Sequence, residues 1–373
     1  MSNMPGKKRI GLISRIIWLL NVILAVALLA AYLSSYVDPG TSTIFAFLGL
    51  GYLFLMVTNL LFMLYWLIRG RKKLLLSLLV LLIGYQPFVH HLQILPGREV
   101  PSEGTTKLLS FNVQNMAHSN LGVEETEIRS DIYNFIGSQQ ADISCIQEFA
   151  DRSNDFKGVF KEMRTLTHYD YCYYNNYRPQ NKNRIYALVI LSQFPAINTN
   201  TLALPGEQHQ FGLYADMVLQ GDTVRVYNLH LASIRLRHED YQFVEDISKG
   251  QTEKGEFRRG SSNILRKLHS AYKIRSRQTA VVERSLSDCP YPVIICGDFN
   301  DTPLSYCYHR ISDGLNDAFV KAGHGLGNTF SGKLPPIRID FILYSGDFNA
   351  YEFKVHRIDL SDHYPVSVFL SNN

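Results

Sequence analysis

Two unlike patterns of apolar and polar positions divide the chain. Residues 10 to about 95 are almost wholly apolar, whereas from about 105 onward short apolar runs alternate with polar loops. Three apolar stretches stand out in the first part, at residues 10–37, 44–68 and 74–93. A helix needs about 20 apolar residues to cross a hydrocarbon core of roughly 30 Å. The first two stretches meet that length, and the third has a strong core, LLLSLLVLLIGY, before Gln86-Pro87 and His90-His91. About three transmembrane helices are therefore expected within residues 1–95. The first run is too long, and too closely followed by others, to read as a cleavable signal peptide. Residues 96–106, with Pro96, Gly97 and Gly104, read as a linker to a soluble domain at 107–373.

In that domain LLSFNV, DISCIQEF, ALVILSQFP, YADMVL, TVRVYNLHLA, PVIICGDFN, RIDFILYS and YPVSVFL predict strands, being rich in β-branched and aromatic residues. EETEIRSDIYNFIGSQQ predicts an amphipathic helix with Ile128, Ile132, Phe135 and Ile136 on one face. Residues 262–286 predict a long helix. Many strands with a few interleaved helices imply a layered α/β domain with two facing sheets.

Charge adds direction. The formal charge of +4 decides little, and a mean hydropathy near zero averages two unlike parts. Lys7, Lys8, Arg9 and Arg15 flank the start of the first apolar run, and Arg69, Arg71, Lys72 and Lys73 separate the second from the third. The connection between the first and second has no basic residue. Short basic loops stay in the cytoplasm, because each Lys or Arg costs roughly 2.5–3.5 kcal/mol at the bilayer centre. With three crossings, the domain lies outside the cytoplasmic membrane; if the third stretch failed to span, it would lie in the cytoplasm.

A further basic tract comprises Lys249, Lys254, Arg258, Arg259, Arg266, Lys267, Lys273, Arg275 and Arg277. It reads either as a solvated helix face or as a surface for anionic headgroups or nucleic acid. Tyr169, Tyr171, Tyr173, Tyr174 and Tyr177 cluster in a way that fits packing better than base stacking. Five cysteines without a CxxC pair or a Cys/His cluster exclude a zinc site. Cys145 and Cys296, in apolar runs, read as buried side chains, and a disulfide among the others stays open.

The chemistry sits at the strand ends. Asn112 closes LLSFN, Glu148 closes DISCIQE, His230 closes VYNLH, and Asp298 with Asn300 closes VIICGDFN. Asp340 opens a strand, and Asp362-His363 precede YPVSVFL. Each has an ordinary explanation alone: Asx residues favour turns, acids cap or pair, and a core histidine is commonly just hydrogen-bonded. Together they point to one cleft. Carboxylates gathered there would repel one another unless a cation lay between them. Oxygen donors without thiolates suit Mg2+, Mn2+ or Ca2+.

In order along the chain, SFNVQN, IQEF, NLHLAS, GDFNDTP, RIDFIL and SDHYPV resemble the six motifs of the endonuclease/exonuclease/phosphatase superfamily. The likeness covers roughly residues 108–370 and is nearest to bacterial membrane-anchored members. It implies a deoxyribonuclease I-like, four-layered α/β/β/α sandwich with its site at one sheet edge. The resemblance further implies Glu148 as principal metal ligand, Asn112 beside it as ligand or orienter, and Asp362 as a metal-side ligand. Asp298 is implied to orient or deprotonate the attacking water, and Asn300 to contact the phosphate. His363, held in its tautomer by Asp340, and His230 are implied to bind phosphate or shuttle a proton. Some nucleases carry a second acid where this chain has Gln114, so a single ion, Mg2+ with Mn2+ or Ca2+ as alternatives, is expected. Tyr186 stands where relatives often have glycine.

Arg235 and Arg277 are weaker candidates for phosphate contacts. The expected activity is phosphoester hydrolysis on a lipid headgroup or another extracytoplasmic ester at the bilayer. The alternatives are a nuclease acting on external DNA or RNA, and an idle binding module, against which the intact set of acids, amides and imidazoles argues. No protein partner is implied.

Overall fold

The computed structural model describes residues 12–94, 100, 104–116, 125–153, 155–177, 184–206, 211–251, 253–332 and 337–372. Most of the predicted linker lies outside these.

The N-terminal segment departs from three uninterrupted spans. The helix α1 (Leu12–Tyr32) runs on into a 3-10 turn and is, among the described residues, the one continuous helix long and apolar enough to cross a membrane. The second stretch is broken at Gly51 into α2 (Ile44–Leu50) and α3 (Tyr52–Ile68), bent by 65°. The third forms only α4 (Leu74–Ile83), then α5 (Tyr85–Val89). Ten residues rise about 15 Å, half a hydrocarbon core. Gly84 makes the break, because a Cβ there would lie 2.0 Å from the hydroxyl of Tyr32, which donates to the carbonyl of Val80 at 3.1 Å.

Two six-stranded sheets follow. One has the order β11-β12-β1-β2-β4-β3, from β1 (Thr105–Asn112), β2 (Ile143–Asp151), β3 (Tyr171–Tyr177), β4 (Ile185–Ser192), β11 (Phe348–Val355) and β12 (Val366–Asn372). The other has the order β5-β6-β7-β8-β10-β9, from β5 (Ala196–Ala203), β6 (Phe211–Leu219), β7 (Asp222–His230), β8 (Val293–Asp298), β9 (Asn316–Asp317) and β10 (Asp340–Tyr344). Each has one parallel pair at its centre, β1–β2 and β7–β8.

The apolar faces meet in a core that includes Leu108, Cys145, Ile190, Val226, Cys296 and Ile342, all buried. Outside the first sheet pack α6 (Glu125–Ser138) and α7 (Phe156–Leu166); Ile128, Ile132 and Ile136 are buried as predicted. Outside the second pack α9 (Lys254–Ser287), longer than predicted, and α10 (Tyr306–Ile311). The short helices α8 (His238–Ser248) and α11 (Ala318–Ala322) complete the chain. The layers are therefore helix, sheet, sheet, helix. All five cysteines are free.

Asn228 joins the two sheets. Its side-chain nitrogen donates to the carbonyls of Ile146 (2.9 Å) and Val189 (2.8 Å), and its oxygen accepts from Gln147 Nε2 (2.7 Å). Ile146 lies where the β2–β4 register shifts, so Asn228 satisfies a carbonyl that the irregularity releases.

The N-terminal segment docks on loops at the same edge as several predicted site residues. Ser35 donates to the carbonyl of Leu304 (3.0 Å), four residues past Asn300. Arg338, two residues before Asp340, donates to the carbonyl of His90 (2.8 Å) and to Asp317 Oδ2 (2.8 Å). The His90 ring meets the Tyr308 hydroxyl at 2.8 Å, and Gln93 pairs with Gly325 through the backbone.

Replacing Asn228 by Ala removes a donor from two buried carbonyls, while Gln147 Nε2 keeps Ser110 Oγ and the Cys145 carbonyl. At about 1–3 kcal/mol for each unsatisfied group, Asn228→Ala is expected to lose roughly 2–6 kcal/mol in denaturant unfolding. A loss within experimental error of zero would contradict the tie.

Candidate active site

Sheet register aligns the first three site residues. His230 lies opposite Asp298 across the parallel β7–β8 pair, and Asp340 lies opposite Asp298 across the antiparallel β8–β10 pair. One row across three strands therefore carries an imidazole and two carboxylates. The neighbouring sheet supplies Asn112 at the end of β1 and Glu148 from β2.

Glu148 does not close its strand, as the sequence pattern suggested. β2 runs on to Asp151, and Glu148 has φ +53° at a register shift between Ile146 and Phe149. That bulge takes the side chain out of the alternation and aims it at the row. Asn300 has φ +53° as well, which Asn tolerates better than most residues.

Asp298 Oδ2 is the hub. It accepts from Asn112 Nδ2 (2.9 Å) and Asn300 Nδ2 (3.0 Å), and lies 3.7 Å from His230 Nε2 and 3.8 Å from His363 Nε2. The other oxygen accepts from the Asn300 backbone at 2.7 Å. Asn300 Nδ2 also donates to the carbonyl of Leu231 (3.1 Å), which ties the turn after β8 to that after β7.

His363 is held by Asp340, whose Oδ2 lies 2.9 Å from Nδ1, leaving Nε2 toward Asp298. The Phe330 ring stands edge-on at 5.4 Å, and Ser361 donates to the carbonyl of Asn112 (2.7 Å) while accepting from the His363 backbone (3.2 Å). Glu148 Oε1 accepts from Asn112 (3.3 Å) and Oε2 from Asn115 (3.1 Å). His230 Nε2 sits 3.2 Å from Glu148 Oε1 without hydrogen-bond geometry, a buried nitrogen with no hydrogen-bonded partner among the described residues. Asp362 is at the rim, its Oδ1 4.0 Å from His363 Nε2.

The electrostatics are those of a crowded charge cluster. Burial raises the Asp298 carboxyl, and the negative charge of Asp340 adds to that. The two imidazoles pull the other way, and the result is about 6. Burial opposes ionisation of Glu148 too, but His230, His363 and Asn112 outweigh it and hold Glu148 at about 2. Burial works against protonating His363, yet Asp340 and Asp298 raise it well above its ordinary value. His230 is raised more modestly, with Glu148 overcoming its burial. Ligand atoms of Glu148, His230 and Asp298, and likewise of Asp298, Asp340 and His363, lie within 4.8 Å of one another. Carboxylate and amide oxygens without thiolate fit a hard divalent cation.

The cluster thus gathers Asn112, Glu148, His230, Asp298, Asn300, Asp340 and His363, with Asp362 at its edge. Arg277 is exposed on α9, beside the buried Arg275 and Gln278, because the helical phase carries 275, 278 and 279 inward. Gln278 Oε1 accepts from the Ala232 backbone and Arg275 donates to the Ala232 carbonyl, both at 2.8 Å. Arg275 also donates to Asp301 at 3.0 Å, so these two residues support the loops behind His230 and Asn300.

Arg235 is exposed, with φ +54°, in the loop beyond His230. The tyrosines serve packing: Tyr169 is buried against Ser144, and Tyr174 stacks on Phe160 at 3.7 Å. Tyr186 is half-buried on β4. Sequence reasoning missed Asn115, Ser361 and Thr329, whose hydroxyl accepts from the backbones of Ile339 and Asp340 (3.1 Å each).

A two-sheet sandwich with an acid–amide–imidazole cluster at one edge defines a hydrolase fold of the deoxyribonuclease I type. The chain belongs to the endonuclease/exonuclease/phosphatase family, whose model matches residues 109–363. That family's members are phosphoester hydrolases. A domain of unknown function, DUF8431, matches residues 14–91.

Similar solved structures include an endonuclease/exonuclease/phosphatase from Beutenbergia cavernae, with TM-score 0.52 and 15% identity over 73% of this chain and 72% of that one. The human Nocturnin catalytic domain with bound sulfate has TM-score 0.51 and 16% identity, covering 74% and 97%. A mannosyl-6-phosphatase from Bacteroides thetaiotaomicron has TM-score 0.50 and 18% identity, covering 71% and 99%. These likenesses establish the fold. No curated protein matches the chain.

A carboxyl held at about 2, below its ordinary 4.5, stabilises the folded state above pH 4.5, and that contribution disappears as pH falls toward 2. Glu148→Gln is therefore expected to flatten the acid limb of the metal-free protein's stability profile between those pH values. Equal acid limbs in denaturant titrations of both proteins would contradict the assignment.

Proposed function

We propose that the chain is a divalent-metal-dependent phosphoester hydrolase tethered to the cytoplasmic membrane, with residues 107–373 as its catalytic unit outside. The observation that carries this reading is the row His230, Asp298 and Asp340 facing Glu148 and His363 across the sheet edge.

Asp298, near neutrality, holds the attacking water through its buried carboxylate and takes its proton. Asn300 presents an amide donor beside it, anchored on Asp298 and the Leu231 carbonyl. His363, fixed by Asp340 and protonated, donates from Nε2 to a phosphate oxygen, and His230 donates from the other flank. Donors placed in advance where charge grows lower the barrier without reorganising. Glu148, with Asn112 and Asp362 beside it, would hold one Mg2+, Mn2+ or Ca2+, which when bound offsets negative charge on the phosphate.

Exposed apolar surface supports the tether. Leu19, Ile23, Phe54, Leu61, Leu75 and Leu79 each expose more than a third of their area, unlike the usual surface of a soluble protein. Arg69, Arg71, Lys72 and Lys73 follow α3, whose other end adjoins the docked loops. Its 17 residues put them roughly 24 Å away along the axis. A basic turn retained in the cytoplasm leaves the site on the outer side. Docking at the site's own edge favours an ester presented by the bilayer, a lipid headgroup.

Metal-dependent hydrolysis of bis-p-nitrophenyl phosphate, suppressed by EDTA, is expected of the full chain. Asp298→Ala and His363→Ala should each lower kcat by roughly 10²- to 10⁴-fold with the fold retained. Near-normal turnover by either variant would overturn these roles. Cleavage of plasmid DNA with phospholipid vesicles left intact would replace the lipid headgroup with nucleic acid.

A further inference from the structure

The helices α8 and α9 form a hairpin between β7 and β8, strands that are direct neighbours in the sheet. One end of the hairpin is at the active site. There Arg275 and Gln278 of α9 hold both backbone groups of Ala232, two residues past His230, each at 2.8 Å.

The opposite side of the hairpin is seated on the N-terminal segment. Tyr272 of α9 meets Phe47 edge-on at 5.4 Å, Leu268 and Ile264 share an apolar cluster with Ala46, and His269 lies 2.8 Å from the Thr43 hydroxyl. Residues seven apart lie on nearly the same helix face. The face carrying Tyr272 therefore continues through Leu265 to Arg258, about 21 Å farther along the axis.

That continuation is both basic and apolar. Between positions 257 and 277 the chain has seven Lys or Arg residues and no Asp or Glu. Arg258, Arg259 and Arg266 are exposed, and among them Phe257 and Leu265 stand half-exposed, at 51% and 52%. Phe257 meets the Phe243 ring of α8 at 6.3 Å, and a merely solvated face has no use for the half of Phe257 that stays exposed or for Leu265. A phosphate-tracking face for nucleic acid needs the cations, but gains little from an aliphatic side chain aligned with a tyrosine packed on the N-terminal segment. A bilayer surface uses both, the cations against lipid phosphates and the apolar side chains below them.

Beneath this face, between the loop 231–237 and α9, runs a groove of about 500 Å³. It is lined by Arg235, Arg237, Lys267 and Ser270 and lies next to the strand end that carries His230.

We propose that the α8–α9 hairpin is a bilayer-contacting arm. Its basic and apolar face rests on anionic phospholipid beside the N-terminal segment, which holds the active-site mouth at headgroup level. The inference rests on the membrane reading of that segment and goes beyond it by naming the surface and its partner.

The test uses the full chain in nanodiscs of phosphatidylcholine, with or without phosphatidylglycerol, containing a lipid that carries a quencher near the headgroup. A single fluorophore is placed at Leu265→Cys, Leu61→Cys on α3, or Thr199→Cys on β5, in a chain with Cys172 and Cys289 changed to Ser. With phosphatidylglycerol present, the Leu265 label is expected to be quenched roughly threefold or more beyond the Thr199 label. R258E/R259E should remove the part of that quenching that depends on phosphatidylglycerol.

A Leu265 label quenched no more than Thr199, with Leu61 strongly quenched, would overturn the arm and leave the tether standing. An unquenched Leu61 label would overturn both. Binding of duplex DNA that R258E/R259E abolishes, with Leu265 unquenched, would assign the face to nucleic acid and likewise overturn the proposal.

Discussion

A carboxylate buried at the end of a central strand is the constraint around which this protein is arranged. Asp298 is fully buried, and a buried charge without partners costs several kcal/mol. The surrounding structure reads as compensation for that cost. Two side-chain amides and one backbone amide donate to Asp298, and two imidazoles stand within 4 Å. The partners come from β1, β7, the turn after β8 and the segment before β12, so satisfying one carboxylate draws four segments of the chain to one sheet edge. The same convergence gives the edge its capacity for chemistry, because groups that share a buried charge are held rigidly and their proton affinities are displaced from ordinary values.

Support for this cluster comes from behind it. Arg275 and Gln278, one turn apart on α9, hold both backbone groups of Ala232, and Arg275 reaches Asp301 beyond Asn300. The next residue, Ser276, bonds to Asp38 of the N-terminal segment. Ser35 and His90 reach the loops after Asn300 and before Asp340. The apolar segment is thus more than an appendage: its polar connections press on the loops that carry the site. A tether that also braces these loops would bring the site to its substrate in one fixed orientation.

Much of this was legible in the sequence because polar residues interrupting apolar strands are costly and therefore conspicuous. Asn112, His230, Asp298, Asp340 and His363 all announce themselves in that way, and the alternation of strands and helices announces the layers. Glu148 was found for an incomplete reason. Its strand continues past it, and only the bulge, a property of pairing with β4, explains its direction. Asn115 was hidden because its role depends on a 3-10 turn, with φ +59°, that the sequence does not signal.

Arg277 was preferred to Arg275 because proximity in sequence does not resolve helical phase over a 34-residue helix. That helix itself begins earlier than its apolar periodicity suggests, since RRGSSN carries little of the pattern. The edge strand β5, mostly exposed and polar, escaped for the same reason. In the N-terminal segment composition overstated continuity: hydropathy does not register that Gly84 lies under the Tyr32 ring, or that the chain turns by 65° at Gly51.

The central claim is that Glu148, with Asn112 and Asp362 beside it, holds one hard cation at this sheet edge. Titration of the full chain with Mn2+, followed by electron paramagnetic resonance, tests it directly. The account predicts one tightly bound ion per chain in an all-oxygen environment, without nitrogen coupling from an imidazole, and loss of that ion in Glu148→Gln. Tight Mn2+ binding that survives Glu148→Gln unchanged, or no binding by the wild-type chain, would contradict it.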